Sequence, residues 1–207
     1  MTMPASEQQF WNQRYDREDF VFGEAPNAFL VREGHRLRPA MRALAVADGE
    51  GRNGVWLAEQ GLDVLSVDFS PVAQDKARQL AARRGVSLAF EQVDLLAWEW
   101  PREAFDVVAA IFVQFVGPAD RARLFARMLD ALTPGGLLLL QGYTPEQLQY
   151  GTGGPAQVEN LYTPEMLRAA FADQEILRLD ARTVTLREGA GHNGLSAVID
   201  CVVRRRA

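Results

Sequence analysis

The sequence contains few residues of the kinds that form disulfides or bind metals. Cys201 is its single cysteine, and His35 and His192 are its two histidines. One cysteine excludes an internal disulfide, and histidines so far apart provide no local metal-ligand motif. We therefore expect no bound metal. Cys201 falls on a segment of alternating polarity, which predicts a buried packing residue.

The sequence also lacks long apolar runs and an excess of basic residues. It contains no 18 consecutive apolar residues, and its N-terminus shows no basic region followed by an apolar run. These absences predict a cytoplasmic protein with no membrane span. The net charge of −5 provides no broad basic surface for nucleic acid, so a small-molecule substrate fits better. The composition leaves a monomer and a homodimer both open.

Residues 41–70 predict a strand, a glycine-rich turn, a helix and a second strand. The apolar run Met41–Ala47 has the length of a buried strand and leads into the turn Asp48–Gly54. Gly61 ends the following helix, and Asp68 stands directly after the strand Val64–Val67. In a parallel sheet, such a turn brings backbone N–H groups close to a ligand, and the acid can accept ribose hydroxyls. This stretch therefore predicts a nucleoside-containing ligand.

The same alternation continues along the chain. Strands are predicted at Val86–Phe90, Phe105–Phe112 and Leu137–Leu140, and helices begin at Ser70 and at Pro118. Strand and helix repeated at this spacing indicate a doubly wound parallel sheet with right-handed crossovers.

The two ends of the chain depart from this pattern. The N-terminal 40 residues predict a helix over 6–16 with Ser6 as N-cap, an aromatic loop, and a second helix opened by Pro26. Near the C-terminus, short helices begin at Thr144 and Thr163. The strands 176–186 and 195–203 then form a hairpin around residues 188–194.

These residues resemble the class I S-adenosylmethionine-dependent methyltransferases, most of all the small bacterial members related to the tellurite-resistance and thiopurine methyltransferases. The shared motifs are Trp-x-x-Arg-Tyr (11–15), Gly-x-x-Pro-Asn (23–27), Gly-Glu-Gly-Arg-Asn (49–53), the acid Asp68 and Thr-Pro-Gly-Gly (133–136). The resemblance covers the whole length. It implies an α/β, Rossmann-like fold, which is a doubly wound seven-stranded sheet with an antiparallel C-terminal hairpin.

The resemblance also implies how the chain is organised and which cofactor it uses. It implies one methyltransferase domain over 1–207, made of a helical lid (1–40), a cofactor-binding half (41–142) and a substrate-side part (143–207). The implied cofactor is S-adenosylmethionine, with Asp68 on the ribose, Asp94 on the adenine amino group and Phe112 on the methionine side. The full predicted cofactor-binding set is Trp11, Arg14, Tyr15, Phe22, Ala47, Asp48, Gly49, Glu50, Gly51, Asn53, Asp68, Phe69, Asp94, Leu95 and Phe112.

One departure from the family pattern concerns the first turn. The family's glycine motif usually begins acid-x-Gly, whereas Ala45 and Ala47 occupy those positions here. Ala47 still allows close backbone approach if its φ is negative. Asp48 or Glu50 is a candidate replacement for the lost acid. In the alternative, a backbone carbonyl and the N-terminal segment hold the methionyl ammonium, and Arg14 or a backbone nest holds the carboxylate.

The methyl acceptor is less well defined by the sequence. The resemblance favours a small soft nucleophile of sulfur, selenium or tellurium, for which no general base is required. An oxygen or nitrogen acceptor would need a base, and Tyr143, Tyr150 and His192 are the candidate catalytic residues. We expect His192 to lie in the hairpin turn, where a solvated side chain is the rule.

Two other functions stay open at this point. A nicotinamide-dependent oxidoreductase is one, because residues 49–54 satisfy Gly-x-Gly-x-x-Gly and Asp68 follows at a suitable distance. The acid after the third strand, the Pro-Gly-Gly turn and the closing hairpin favour the methyltransferase instead. A non-catalytic S-adenosylmethionine-binding protein is the other, since the acid at Ala45 is missing.

Overall fold

The computed structural model describes residues 2–207. The strands are β1 (Arg42–Val46), β2 (Asp63–Asp68), β3 (Ala89–Gln92), β4 (Phe105–Ile111), β5 (Leu132–Tyr143), β6 (Glu175–Glu188) and β7 (His192–Arg204). The helices are α1 (Ala5–Tyr15), α2 (Ala28–Glu33), α3 (Arg52–Glu59), α4 (Pro71–Arg84), α5 (Pro118–Ala131) and α6 (Pro164–Ala170). Short 3₁₀ turns lie at Gly34–Arg36, Pro145–Gln149 and Val158–Asn160.

All seven strands form a single sheet in the order β3-β2-β1-β4-β5-β7-β6. The first five strands run parallel, and β7 pairs antiparallel with both β5 and β6. The middle strands carry apolar residues on both faces, with Leu44 and Val108 on one face and Ala43 and Val107 on the other, and helices cover them. The predicted fold class, a seven-stranded doubly wound sheet closed by an antiparallel hairpin, is confirmed.

The strand order fixes where a ligand can enter. From β1 the chain winds outward to β2 and β3, and it then returns to place β4 and β5 on the other side of β1. The crossovers leaving the carboxyl ends of β1 and β4 therefore diverge and open a crevice at that edge of the sheet. The turn after β1 and the residues after β2 and β4 meet there.

Several helix ends follow from local sequence. Ser70 caps α4 by accepting a hydrogen bond from the backbone N–H of Ala73, and Thr163 caps α6 in the same way through Met166. The expected cap at Ser6 is wrong. Helix α1 already begins at Ala5, follows Pro4, and has no side-chain cap.

Other boundaries also differ from the expectation. β3 covers Ala89–Gln92 rather than 86–90, β5 already starts at Leu132, and the segment after Thr144 is a 3₁₀ turn. The hairpin strands are longer than predicted, because Glu188 pairs with His192 and leaves only residues 189–191 as the turn. Cys201 is fully buried in the core, as expected.

Within residues 2–207, no helix combines the length and apolar character needed to cross a membrane.

Candidate functional site

A cavity of about 720 Å³ opens at the carboxyl edge of the sheet. Its walls come from α1, the glycine turn, the ends of β2, β4 and β5, the loop 154–160 and the hairpin tip. The predicted site residues that line it are Trp11, Arg14, Tyr15, Phe22, Ala47, Asp48, Gly49, Asn53, Asp68, Phe69, Leu95, Phe112, Tyr143 and His192. The predicted residues outside its lining are Glu50, Gly51, Asp94 and Tyr150.

The turn after β1 has a strained backbone. Ala47 has φ +48°, so the negative φ under which this alanine would allow close backbone approach is not met. Phe112, directly after β4, has φ +58°. A side chain in this left-handed region costs about 1–2 kcal/mol, which the surrounding fold must supply. Strain of this kind is concentrated at functional sites, and both residues border the cavity.

Two glycines of the turn serve different contacts. A Cβ on Gly49, which has φ +57°, would lie 2.9 Å from the hydroxyl oxygen of Tyr15 at the cavity wall. A Cβ on Gly51 would instead meet the Cβ of Ala77 on α4 at 2.5 Å. Gly51 therefore allows α3 to pack on α4, and the prediction that it contacts a ligand is not supported by its position.

Asp68 ends β2 at the floor of the cavity. Its Oδ2 accepts a hydrogen bond from the backbone N–H of Gly49 at 2.8 Å, and its Oδ1 accepts one from that of Ser70 at 2.8 Å. Burial raises the pKa of its carboxyl to about 6, although these backbone hydrogen bonds act in the opposite direction. Because a carboxylate can accept about four hydrogen bonds, Asp68 keeps capacity for hydroxyl donors of a ligand.

The two candidate replacements for the missing acid lie in different places. Asp48 borders the cavity but accepts hydrogen bonds from Gly54 N–H and Ser66 Oγ, and burial raises its pKa to about 7. Glu50 lies behind the wall, where its Oε1 is 2.6 Å from Lys76 Nζ. Of the two, only Asp48 can reach a ligand.

Aromatic side chains form the N-terminal wall. Tyr15 stacks on Trp11, with ring centroids 5.7 Å apart, and meets Phe22 edge-on at 6.2 Å. The guanidinium of Arg14 lies 5.6 Å from the Trp11 centroid and 5.5 Å from that of Phe22. Trp11 and Phe22, whose rings are predicted to face a sulfonium, therefore already lie close to the positive charge of Arg14.

The segment after β3 contributes Leu95 but not Asp94. The carboxylate of Asp94 accepts hydrogen bonds from the backbone N–H groups of Met3, at 2.7 Å, and Leu96, at 2.9 Å. Asp94 thus binds the backbone near the N-terminus and is not part of the cavity lining. The expected contact between Asp94 and adenine is therefore not supported by this position.

Two of the three candidate catalytic residues reach the cavity. Tyr143 stacks on Phe112 with ring centroids 4.6 Å apart, and burial raises its pKa above the ordinary value. His192 is the first residue of β7 and is 8% exposed, so the expectation of a solvated turn residue is wrong. Its early position follows from the short turn, which leaves it inside the strand. Tyr150 lies outside the cavity lining.

Sequence reasoning missed Arg52 and Gln114. Arg52 donates from Nη2 to Glu188 Oε2 at 2.7 Å, and Gln114 holds both the N–H and the carbonyl of Tyr143. Arg52 stands within the quoted Gly-Glu-Gly-Arg-Asn motif, but its partner lies 136 residues away. No local pattern signals that pairing.

The lining fits an adenosine linked to a charged amino-acid end. Asp68 and the glycine turn present acceptor and donor groups for a ribose, while Phe69 and Leu95 provide an apolar surface. Among the described residues, two buried polar atoms of cavity-lining side chains, Arg52 Nη1 and Tyr143 Oη, have no hydrogen-bond partner; a third, His192 Nδ1, also has none but faces Glu188 at 3.7 Å. Buried polar atoms normally have partners, so this edge is built to receive a polar ligand.

Comparison with known proteins finds a match in the central part of the chain. Residues 43–136 match a family model described as a methyltransferase domain. The chain is 37% identical over 106 residues to a demethylmenaquinone methyltransferase from Deinococcus radiodurans, over 50% of this chain and 44% of that protein. The chain thus spans less than half the length of that relative.

Solved structures show the same fold over nearly the whole chain. One, from work on the conversion of a disulfide bond into a thioacetal group during echinomycin biosynthesis, has a TM-score of 0.78 at 19% identity, covering 96% of this chain and 93% of that chain. The N-methyltransferase NodS from Bradyrhizobium japonicum WM9, in complex with S-adenosyl-L-homocysteine, has a TM-score of 0.71 at 15% identity, covering 97% and 98%. Residues 43–136 are therefore similar to a methyltransferase domain, and the chain shares its fold with these solved structures.

Proposed function

We propose that the protein transfers a methyl group from S-adenosylmethionine to a small-molecule acceptor, with a soft sulfur, selenium or tellurium atom as the receiving atom. The observation that carries this proposal is the position of Asp68. Its carboxylate lies at the end of β2, bonded to the N–H of Gly49, on the floor of a cavity at the switch point of the sheet.

Each part of the cofactor has a candidate partner in the cavity. Asp68 would accept the ribose hydroxyls, and Phe69 and Leu95 would enclose the adenine ring. Phe112 would line the methionine side. Arg14 and Arg52 are the two cations that border the cavity, and either can take the methionine carboxylate. When bound, the cofactor supplies an electrophilic methyl group on a positively charged sulfur.

The residues of this chain would act mainly by positioning the reactants. Methyl transfer is an in-line displacement, and holding both reactants in line can supply roughly 7–11 kcal/mol of the barrier. The aromatic wall of Trp11, Tyr15 and Phe22 would exclude water and attract the sulfonium. No nucleophile from the protein is required.

The size of the cavity favours a small acceptor. Its volume, about 720 Å³, is within the range of small-molecule pockets and must hold both the cofactor and the acceptor. The structural neighbour from echinomycin biosynthesis concerns chemistry at sulfur atoms, and this supports a soft acceptor atom.

Isothermal titration calorimetry with S-adenosylmethionine, S-adenosylhomocysteine and NAD tests the cofactor directly. We expect binding of the first two at micromolar concentrations and no binding of NAD. Binding of NAD alone, or of none of the three, would overturn the proposal. A screen of acceptors, in which product S-adenosylhomocysteine is measured, then follows with thiols and with selenium and tellurium oxyanions.

A further inference from the structure

His192 lies at the cavity wall inside a cage of aromatic rings. Its ring centroid is 4.5 Å from that of Phe22, 4.4 Å from that of Phe112 and 5.6 Å from that of Tyr143. The side chain borders the cavity but is only 8% exposed. An imidazole held so closely presents one fixed edge to whatever occupies the cavity.

Glu188 lies behind this imidazole. Its Oε2 is 3.7 Å from His192 Nδ1, a separation slightly longer than a hydrogen bond. The same carboxylate accepts hydrogen bonds from Arg52 Nη2 at 2.7 Å and from Asn27 Nδ2 at 3.1 Å. Burial opposes its ionisation, but the contacts with His192 and Arg52 lower the pKa of Glu188 to about 2. Glu188 is therefore a fixed anion at neutral pH.

The charges around His192 come from four elements. Burial is the largest influence and lowers the pKa of the imidazole, Arg52 of α3 and Arg14 of α1 lower it further, and Glu188 of β6 raises it. The Tyr143 hydroxyl of β5 stays neutral because burial raises its pKa. The net direction is downward, so the ring is uncharged at neutral pH.

The carboxylate also selects the tautomer. Glu188 can only accept a hydrogen bond, so the proton of the neutral ring belongs on Nδ1, which faces it. The lone pair then resides on Nε2, at the opposite side of the ring from Glu188. A neutral imidazole with a free Nε2 is the form that accepts a proton.

We propose that His192 is the catalytic base of the methyl transfer, that Glu188 is its positioning residue, and that the acceptor is a small protic nucleophile, with a thiol fitting best. This inference rests on the proposed function. As the acceptor's electron pair forms the bond to the methyl carbon, its S–H proton moves to His192 Nε2. The electron pair of the broken carbon–sulfur bond stays on the departing sulfur. The imidazolium, paired with Glu188, later releases its proton to water.

A thiol accounts both for the expected soft acceptor atom and for the presence of a base at the cavity wall. Its sulfur is the soft atom expected of the acceptor. The expectation that a soft acceptor requires no base holds for an oxyanion or an ionised thiol, whereas a protonated thiol carries a proton for the base to accept. The aromatic cage of Phe22, Phe112 and Tyr143 favours an apolar or aromatic thiol over a charged one.

Nitrogen NMR of the imidazole rings tests the tautomer without any turnover. The protein has two histidines, and His35 is exposed, so each ring in ¹⁵N-histidine-labelled protein is assigned by comparison with His35→Gln. With S-adenosylhomocysteine bound, we expect His192 to be neutral at pH 7 with its proton on Nδ1. Glu188→Gln should shift the ring towards the Nε2–H tautomer. A proton on Nε2, or a charged ring at pH 7, in the unsubstituted protein would overturn the proposal.

Measurements of kcat with two thiols distinguish a catalytic base at His192 from a residue that only packs. Thiophenol is largely ionised at pH 7.5, whereas 2-phenylethanethiol is largely protonated and needs a base. We expect His192→Gln to lower kcat for 2-phenylethanethiol by about 10²–10⁴-fold, with a much smaller loss for thiophenol and none in His35→Gln. Equal losses for the two thiols would overturn the role of His192 as a base.

Binding of S-adenosylhomocysteine is measured separately, so that failure of the proposed function can be told from failure of this inference. Calorimetry of His192→Gln with S-adenosylhomocysteine should give unchanged affinity, because the base faces the acceptor. If the unsubstituted protein does not bind S-adenosylhomocysteine, the proposed function fails. If it does bind and His192 has its proton on Nε2, only the present inference fails.

Discussion

At the level of single residues, Asp68 has two roles that a substitution can separate. It holds the glycine turn through Gly49 N–H, and it is placed to accept ribose hydroxyls. We expect Asp68→Asn to weaken S-adenosylmethionine binding by roughly 1.5–3 kcal/mol, which is the range for hydrogen bonds to charged groups. Asp63→Asn, at the exposed start of the same strand, is the matched control. Equal calorimetric affinities for a folded Asp68→Asn variant and the control would refute the assignment.

Ala47 is the residue at which the family motif is altered and the backbone is strained. Replacing it with glycine removes a left-handed penalty of about 1–2 kcal/mol, while the more flexible unfolded chain costs about 0.4–1 kcal/mol. We expect Ala47→Gly to raise the free energy of unfolding in urea by about 0.5–1 kcal/mol.

The control for this substitution is Ala45→Gly in the same strand. Ala45 has regular parallel partners in Ser66 and Ala109, so glycine there should destabilise the protein by about 0.5–1 kcal/mol. A loss of similar size in both variants would show that the left-handed backbone of Ala47 carries no strain.

Asp48 predicts a pH dependence of stability. Burial raises its pKa from 3.8 to about 7 in the folded protein, so the native state keeps a proton that the unfolded chain releases above about pH 4. The free energy of unfolding should therefore fall as pH rises from 4 to 7, by at most about 1.4 kcal/mol per pH unit for one proton. Urea titrations between pH 5 and 8 measure the slope.

The matched variant for this pH dependence is Asp48→Asn. It should show a profile that is less steeply falling. Asp68, whose pKa is also raised, to about 6, contributes a slope of the same sign, whereas His192, whose pKa is lowered, contributes one of the opposite sign below about pH 6.5. A stability that increases from pH 5 to 7 in the unsubstituted protein would contradict this prediction.

At the level of elements, the hairpin tip closes the cavity against the loop 20–23. Gly191 N–H donates to the carbonyl of Val21 at 2.8 Å, and a Cβ on Gly189 would collide with Val21 O and Gly23 N. We expect Gly189→Ala to displace the tip and weaken binding of S-adenosylmethionine, because the wall that carries Phe22 moves with the loop.

Gly85 provides a control with the same backbone strain. It has φ +68°, against +67° for Gly189, and a Cβ there would meet no atom within 4 Å. Both alanine variants should lose about 1–2 kcal/mol of stability from the left-handed backbone, but only Gly189→Ala should lose calorimetric affinity. An affinity loss of the same size in both would show that the contact at the tip is irrelevant to binding.

The elements that could be predicted from sequence are those specified locally. Ser70 followed by Pro71 determines the start of α4, and the turn between β1 and Asp68 is readable from glycine spacing and strand length. The hairpin turn is shorter than the glycines near residue 190 predict. Gly194 in fact lies inside β7 with φ +121°, so the strand begins earlier.

Side-chain partners across the fold could not be predicted. Asn27 N–H donates to Asn53 Oδ1 at 2.9 Å, a contact that joins the Gly-x-x-Pro-Asn and Gly-Glu-Gly-Arg-Asn motifs. Neither this contact nor the pairing of Arg52 with Glu188 has a sequence periodicity, because both depend on how distant segments meet. The hydrogen bond from the Met3 N–H to Asp94 is likewise unreadable from the sequence, because the two residues are 91 positions apart.

At the level of the whole molecule, a chain of buried polar side chains joins the N-cap of α2 to β5 and β7. Asn27 Nδ2 donates to Gln141 Oε1 at 2.7 Å, and Gln141 Nε2 donates to Asp200 Oδ1 at 2.5 Å. Asp200 also accepts from Arg32 and Arg182. This network fixes α2 to β5 and β7, so the segment from Asn27 onward behaves as part of the sheet.

The preceding helix α1 is held much more weakly. Gln8 Nε2 donates to Phe69 O at 2.9 Å, Ser70 Oγ donates to Asn12 Oδ1 at 2.6 Å, and Tyr15 is the only residue of α1 that is buried. An element with so few buried contacts opens locally at low free-energy cost. A ligand that touches both α1 and the sheet should suppress this opening.

Hydrogen exchange read by mass spectrometry tests this difference between α1 and the sheet. Saturation with S-adenosylhomocysteine should slow exchange in α1, in residues 20–23 and in the hairpin turn 189–191, because the cavity lies between these segments and the sheet. Amides of β4 and β5, already buried and paired, should change little. Asp68→Asn at the same ligand concentration should show weaker protection of α1, since less ligand is bound. Protection confined to the glycine turn and the end of β2 would mean that α1 covers the core without closing over the ligand.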